Sequence, residues 1–137
     1  MNLERFVKAQ EESYEIALNE IKQGRKENHW MWYIFPQIKG LGHSPTAQYY
    51  AIQNKAEAEA YLNHPILSKH LLEISEELLN IDSNDASEVF GYPDDLKLKS
   101  SMTLFSLISR KTVFKRVLDK FFDGEIDERT VELLSDM

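Results

Sequence analysis

The chain has 137 residues, 42% of them apolar, with mixed charges, which reads as one globular domain able to bury roughly 70% of its unfolded surface. A formal net charge of -7 disfavours duplex DNA and anionic membranes as partners. The absence of cysteine excludes disulfides, thiol nucleophiles and thiolate metal sites, and it suits a reducing cytoplasm.

The helical period dominates from the start of the chain. The opening MNLERFVKAQEE is charged from its fourth residue and lacks the apolar centre of a signal peptide. Asn2 can cap a first helix running to Gly24, with Glu4 favourably placed in its first turn. Its inner stripe is Leu3, Phe6, Val7, Gln10, Tyr14, Ala17, Leu18 and Ile21, so Gln10 and Tyr14 are polar groups on the buried face. The basic cluster Lys22, Arg25 and Lys26 lies among acidic residues and reads as a solvated helix end.

Residues 29–50 hold six of the fifteen aromatics and one formal charge, Lys39, so this stretch must be buried or bind something. A short helix or irregular segment covers His29–Phe35, too short an apolar run to span a bilayer. Pro36 to Ser44 reads as a loop with Gly40 and Gly42. Ser44 and Pro45 form a cap followed by a first-turn proline, which starts the next helix. Further helices are expected over Lys55–Leu62, from Pro65 through Leu79, over Ala86–Phe90, over Asp94–Ser109 behind Pro93, over Val113–Phe122 and over Arg129–Leu134. Sustained strand alternation is nearly absent. The expected fold is all-α, a single compact domain spanning 1–137 with about seven or eight short helices, bounded to ±2–4 residues.

Two constellations can carry chemistry. In the helix from Asp94, the residues Asp94, Lys97 and Ser101 share the apolar face near the helix start, where free N–H groups already favour anions. A lysine and a hydroxyl there make a plausible phosphate or carboxylate site. The plainer account is that Asp94 complements the dipole, Lys97 pairs with it and Ser101 packs. In the aromatic stretch, His29 is a general acid/base candidate, against which stands a role as helix cap or satisfied core histidine. Trp30 and Trp32 can stack on a flat ring but more often form core. Gln37, between Pro36 and the glycine loop, is a binding candidate, and the Gly40-Leu41-Gly42 turn with Ser44 can present N–H groups to an anion. That turn is neither a phosphate-binding Walker loop nor a dinucleotide fingerprint. No histidine pair has helical spacing, and neither a metal nor a cofactor is expected.

The segments HWMWYIFPQIKGLG, SPTAQYYAI, AYLNHPIL and YPDDLKLKSSMTLF resemble the signature blocks of a widespread family of small, uncharacterised, mainly helical bacterial proteins. The opening FVKAQEESYEIALNEIKQGRK is similar to that family's first block. The resemblance covers roughly Leu3 to Leu134 and implies a single helical domain, without an activity or catalytic residues to carry over.

The resemblance places several inward-facing polar residues on separate helices, Gln10, His29, Gln37, Asp94, Lys97 and Ser101, in the family pattern, and this points to an interhelical pocket, against the competing account of a satisfied hydrogen-bond network. The expected occupant is a small anionic, nucleotide-like ligand. In that reading Lys97 and Ser101 hold the anion, His29 and Gln37 contact polar groups, Trp30 or Trp32 forms a wall, and Gln10 and Ser44 complete the lining. If there is turnover, His29 and Asp94 are the acid/base pair of a hydrolase or transferase. The rival expectation is a non-catalytic module docking another protein through residues 30–35.

Overall fold

The computed structural model describes residues 2–137. Among these residues the chain forms nine helices, one or two more than expected. They are α1 (Glu4–Lys22), α2 (Met31–Ile34), α3 (Pro45–Tyr50), α4 (Lys55–Asn63), α5 (Pro65–Asn80), α6 (Ala86–Phe90), α7 (Asp94–Ile108), α8 (Val113–Phe122) and α9 (Glu128–Ser135). No helix among the described residues is long and apolar enough to cross a membrane.

Local chemistry explains most of the boundaries. The Asn2 side chain accepts from Glu4 N–H just ahead of α1. Gly24, at φ +79°, ends that helix: its N–H reaches Ile21 O while Arg25 N–H reaches Glu20 O, the paired bonds of a glycine-terminated helix. Ser44 caps α3 by accepting from Ala47 N–H at 3.1 Å, with Pro45 in the first turn. Asn54 caps α4 and Asp85 caps α6 in the same way. The cap of α5 is a histidine: His64 Nδ1 accepts from the N–H groups of Ile66 and Leu67.

α5 packs against α1, α4 and α8, while α7 packs against α8, α6, α9 and α4. The shared core contains Phe6, Tyr61, Leu67, Phe105 and Phe114, each fully buried. Edge and tilted contacts between Phe6, Tyr61, Phe105 and Phe114, at 5.2–5.7 Å between centroids, run through it as one aromatic chain.

The C-terminal end of α5 is held by a side chain from another helix. Lys120 on α8 donates to the carbonyl oxygens of Leu78 (2.9 Å), Leu79 and Ile81. A cation at a helix C-terminus is favoured by the dipole and satisfies carbonyls that have no intrahelical donor. Burial lowers the Lys120 pKa, and the nearby Asp82 opposes that shift. Lys120→Met is expected to lower stability by about 1–2 kcal/mol, read as a lower urea midpoint at unchanged slope.

The segment between α2 and α4 positions the site. Ile38 and Ile52 form an isolated parallel bridge, in which Ile52 N–H donates to Gln37 O and Lys39 N–H to Ile52 O, both at 2.8 Å. This pairing ties the base of the glycine loop to the far end of α3. Arg5 clamps the same region: its guanidinium donates to Tyr49 O and Ala51 O at 2.9 Å and to Glu57 Oε1 at 2.6 Å.

Candidate functional site

The two tryptophans of the aromatic stretch separate onto different faces. Residues two apart on a helix point about 200° apart. Trp30 is 1% exposed, packed edge-on against Phe90, and its indole N–H donates to Glu20 Oε1 at 2.9 Å. Trp32 is half-buried and carries the Lys97 ammonium 5.0 Å from its ring centroid.

Glu20 is 8% exposed and collects four donors: the backbone N–H groups of Glu27 (2.7 Å) and Asn28 (3.0 Å), the Asn28 amide (2.6 Å) and the Trp30 indole. Burial pushes its carboxyl up, but these hydrogen bonds outweigh burial and leave it below its ordinary value. The carboxylate fixes the turn after α1 and orients Trp30.

Asp94 bridges two lysines. Its Oδ2 lies 2.9 Å from Lys26 Nζ and its Oδ1 3.2 Å from Lys97 Nζ. Lys26 also donates to Asn28 O and sits 5.1 Å from the Trp30 ring centroid. The contacts therefore form a row: Trp30, Lys26, Asp94, Lys97, Trp32. The Asp94–Lys97 pairing expected from spacing is present, and Lys26 joins it from the end of α1.

Gln10 is 2% exposed with every hydrogen-bonding group used. Its amide nitrogen donates to Tyr33 O (2.8 Å) and to the Tyr61 hydroxyl (2.9 Å), while its oxygen lies 2.8 Å from His70 Nδ1. The His70 ring stacks on Tyr14 at 3.7 Å, and the Tyr14 hydroxyl donates to Glu73 at 2.5 Å. Burial raises the pKa of both Tyr14 and Tyr61, so each stays a neutral phenol. Gln10, expected to line a pocket, is instead surrounded by hydrogen-bond partners from its own chain.

The other candidates scatter. His29 is exposed and makes no hydrogen bond among the described residues, so it neither caps α2 nor sits in the core. Ser44 is exposed and serves as the α3 cap. Ser101 is fully buried, and its hydroxyl has no hydrogen-bond partner among the described residues. Gln37 and Trp32 do meet: with Ile38, Gly42, Ala47, Tyr50 and Ala51 they line a void of about 20 Å³, room for about one water. Tyr50 is held above its ordinary pKa by burial.

Beyond Gly42 and Ala51, which both spaces share, lies a cleft of about 320 Å³ lined by Lys39, Gly40, His43, Gln48 and Gln53. This is within the range of small-molecule sites. None of the backbone N–H groups of Gly40, Leu41, Gly42 and His43 is hydrogen-bonded within the described protein. The loop is shaped by its glycines: Gly40 has φ +109°, and a Cβ on Gly42 would meet Ala47 Cβ at 2.5 Å. The glycine turn was legible in sequence. The polar groups facing the cleft from α3 and beyond were not, because the Ile38–Ile52 pairing brings them there. Among the described residues no group of three metal-ligating side chains is placed to hold a metal ion.

None of the curated proteins matches the chain. A solved structure does, described as the conserved hypothetical protein Rv1873 from Mycobacterium tuberculosis. It is 45% identical, with a TM-score of 0.95 over 97% of this chain and 96% of that one. The family model described as "Protein of unknown function (DUF1810)" matches residues 1–134, and the chain belongs to that family.

Proposed function

We propose that the protein binds a small anionic ligand in the cleft beside the 39–43 loop. The observation that carries this reading is a loop whose backbone N–H groups from Gly40 to His43 are unpaired among the described residues, beside a cleft of about 320 Å³ that Lys39, Gly40, Gly42 and His43 line. Successive free N–H groups favour an anion, and a lysine beside them strengthens the preference. Gln48 and Gln53 offer amides, although each already donates to a backbone carbonyl. The inner void holds about one water, so Trp32 and Gln37 sit at the inner end of the ligand rather than around it. Here the anion is held by Lys39 and the loop instead of by Lys97 and Ser101: Lys97 is committed to Asp94 and Trp32, and Ser101 is fully buried. No acid/base step is part of the proposal, since exposed His29 has no hydrogen bond to Asp94. Freedom from cysteine supports a cytoplasmic setting.

A thermal-shift screen against nucleotides, sugar phosphates and small carboxylates tests it. A ligand at 100 times its dissociation constant adds about 2.7 kcal/mol. The hit is expected to vanish in Lys39→Met and to persist in Lys97→Met. Loss in Lys97→Met with retention in Lys39→Met moves the anion to the start of α7 and overturns the proposal.

Docking through residues 30–35 draws no comparable support. Trp30, Met31, Ile34 and Phe35 are each at most 2% exposed, which leaves little apolar surface there for a partner.

A further inference from the structure

Residues 110–116, RKTVFKR, put four cations in seven positions, and no acidic residue occurs from 106 to 118. The net charge of -7 hides this cluster, which carries one more cation than the one at Lys22–Lys26. Arg110, Lys111, Lys115 and Arg116 are all exposed, and among the described residues none is within ion-pair distance of a carboxylate. Glu125 pairs with Lys99, and the Asp119 carboxylate lies beside Gly124 with no ion-pair partner among the described residues.

The fold gathers three of these cations around one concavity. Arg110, Lys111 and Lys115 line a cleft of about 300 Å³ between the end of α7, the turn into α8 and the α8–α9 connection, with Leu118 and Ile126 as its apolar wall. Thr112, also on the cleft, is the residue before α8, and its side chain makes no capping hydrogen bond. Three unpaired like charges on one cleft repel one another, and a multiply charged anion relieves that repulsion. The dipole of the ten-residue α8 adds in the same direction.

We infer that this corner is a second binding site, separate from the 39–43 cleft, for the phosphate group of a small phosphorylated compound. Three cations and a hydroxyl match a dianionic tetrahedral group better than a single carboxylate, and the Leu118–Ile126 wall suits an apolar portion beyond it.

The test is a titration of the ¹⁵N-labelled protein with inorganic pyrophosphate at low ionic strength, with sodium chloride matched in ionic strength as control. The expected result is saturable movement of the amide signals of 109–115 and Gly124, weakened at least about tenfold in Lys111→Gln/Lys115→Gln. Both positions are exposed, and an unchanged melting midpoint establishes that the variant is folded. Arg110→Gln is an independent variant expected to weaken binding in the same direction. Lys39→Met should leave these shifts untouched. Movement that fails to saturate and is reproduced by sodium chloride, or saturable binding that survives the double substitution, overturns the inference.

Discussion

Glu20→Ala is expected to destabilise the protein by about 3–4 kcal/mol, a fall of roughly 10 °C in melting midpoint for a domain of this size. The substitution strands four donors at once. Two are backbone N–H groups of exposed residues, Glu27 and Asn28, which water can reach. The Trp30 indole is 1% exposed and has no such recourse, so its unmet N–H carries much of the cost. Glu20→Gln should recover only part of the loss, because its amide nitrogen turns a donor toward a site made of donors. The pH dependence has a definite sign. The folded carboxyl titrates below its ordinary value of 4.5, so its contribution is full above that value and is lost as pH falls through the lower folded one. The gap between wild type and Glu20→Ala should therefore narrow under acid, as followed by thermal melts from pH 7 downward.

Glu20 also marks where sequence reading stops. It lies one residue off the inner stripe of α1, and nothing in its neighbourhood distinguishes it from the solvated Glu11 or Glu12. Its partners become visible only once the Gly24 turn reverses the chain and brings Asn28 and Trp30 back beside it. The helices themselves were legible, because their signals are local. Ser44-Pro45 and Pro65 announced helix starts, the spacing from Leu3 to Ile21 announced a buried face, and both hold in the structure. The inward placement of Gln10 and Tyr14 followed from the same wheel. What they touch did not, since Tyr61 and His70 lie 51 and 60 residues beyond Gln10.

The charged cluster at α7 shows the same division. Asp94 and Lys97 are three residues apart, and their pairing is read directly from helix geometry. The second lysine on Asp94 arrives from the far end of α1, and with it Lys97 changes meaning. A lone lysine at a helix start is an anion site, whereas one sharing a carboxylate and lying over Trp32 also holds α7 against α2. Interior polarity therefore located the important helices, and partner geometry divided it into a network around Gln10 and a bridge at Asp94.

Gln10→Leu separates a network from a binding role at that position. The substitution keeps volume and removes polarity, so a residue that merely lined a pocket would tolerate it. A cost of about 2–4 kcal/mol is expected instead, because the fully buried Tyr61 hydroxyl, the Tyr33 carbonyl and His70 Nδ1 lose their shared partner together. Since the Gln10 nitrogen is already used as donor, its oxygen is the acceptor and His70 Nδ1 carries the proton. Burial lowers the His70 pKa from its ordinary 6.5, with Lys69 acting in the same direction and Glu73 and Glu15 against it. The folded state thus prefers the neutral ring. Stability from this group is full above pH 6.5, falls as pH drops below that value and levels off beneath the folded pKa. His70→Gln can still donate toward Gln10 but does not titrate, so it should flatten the wild-type decline between pH 7 and 5 in urea melts. An equal decline in both proteins would assign that pH dependence to the carboxylates and remove His70 from the account.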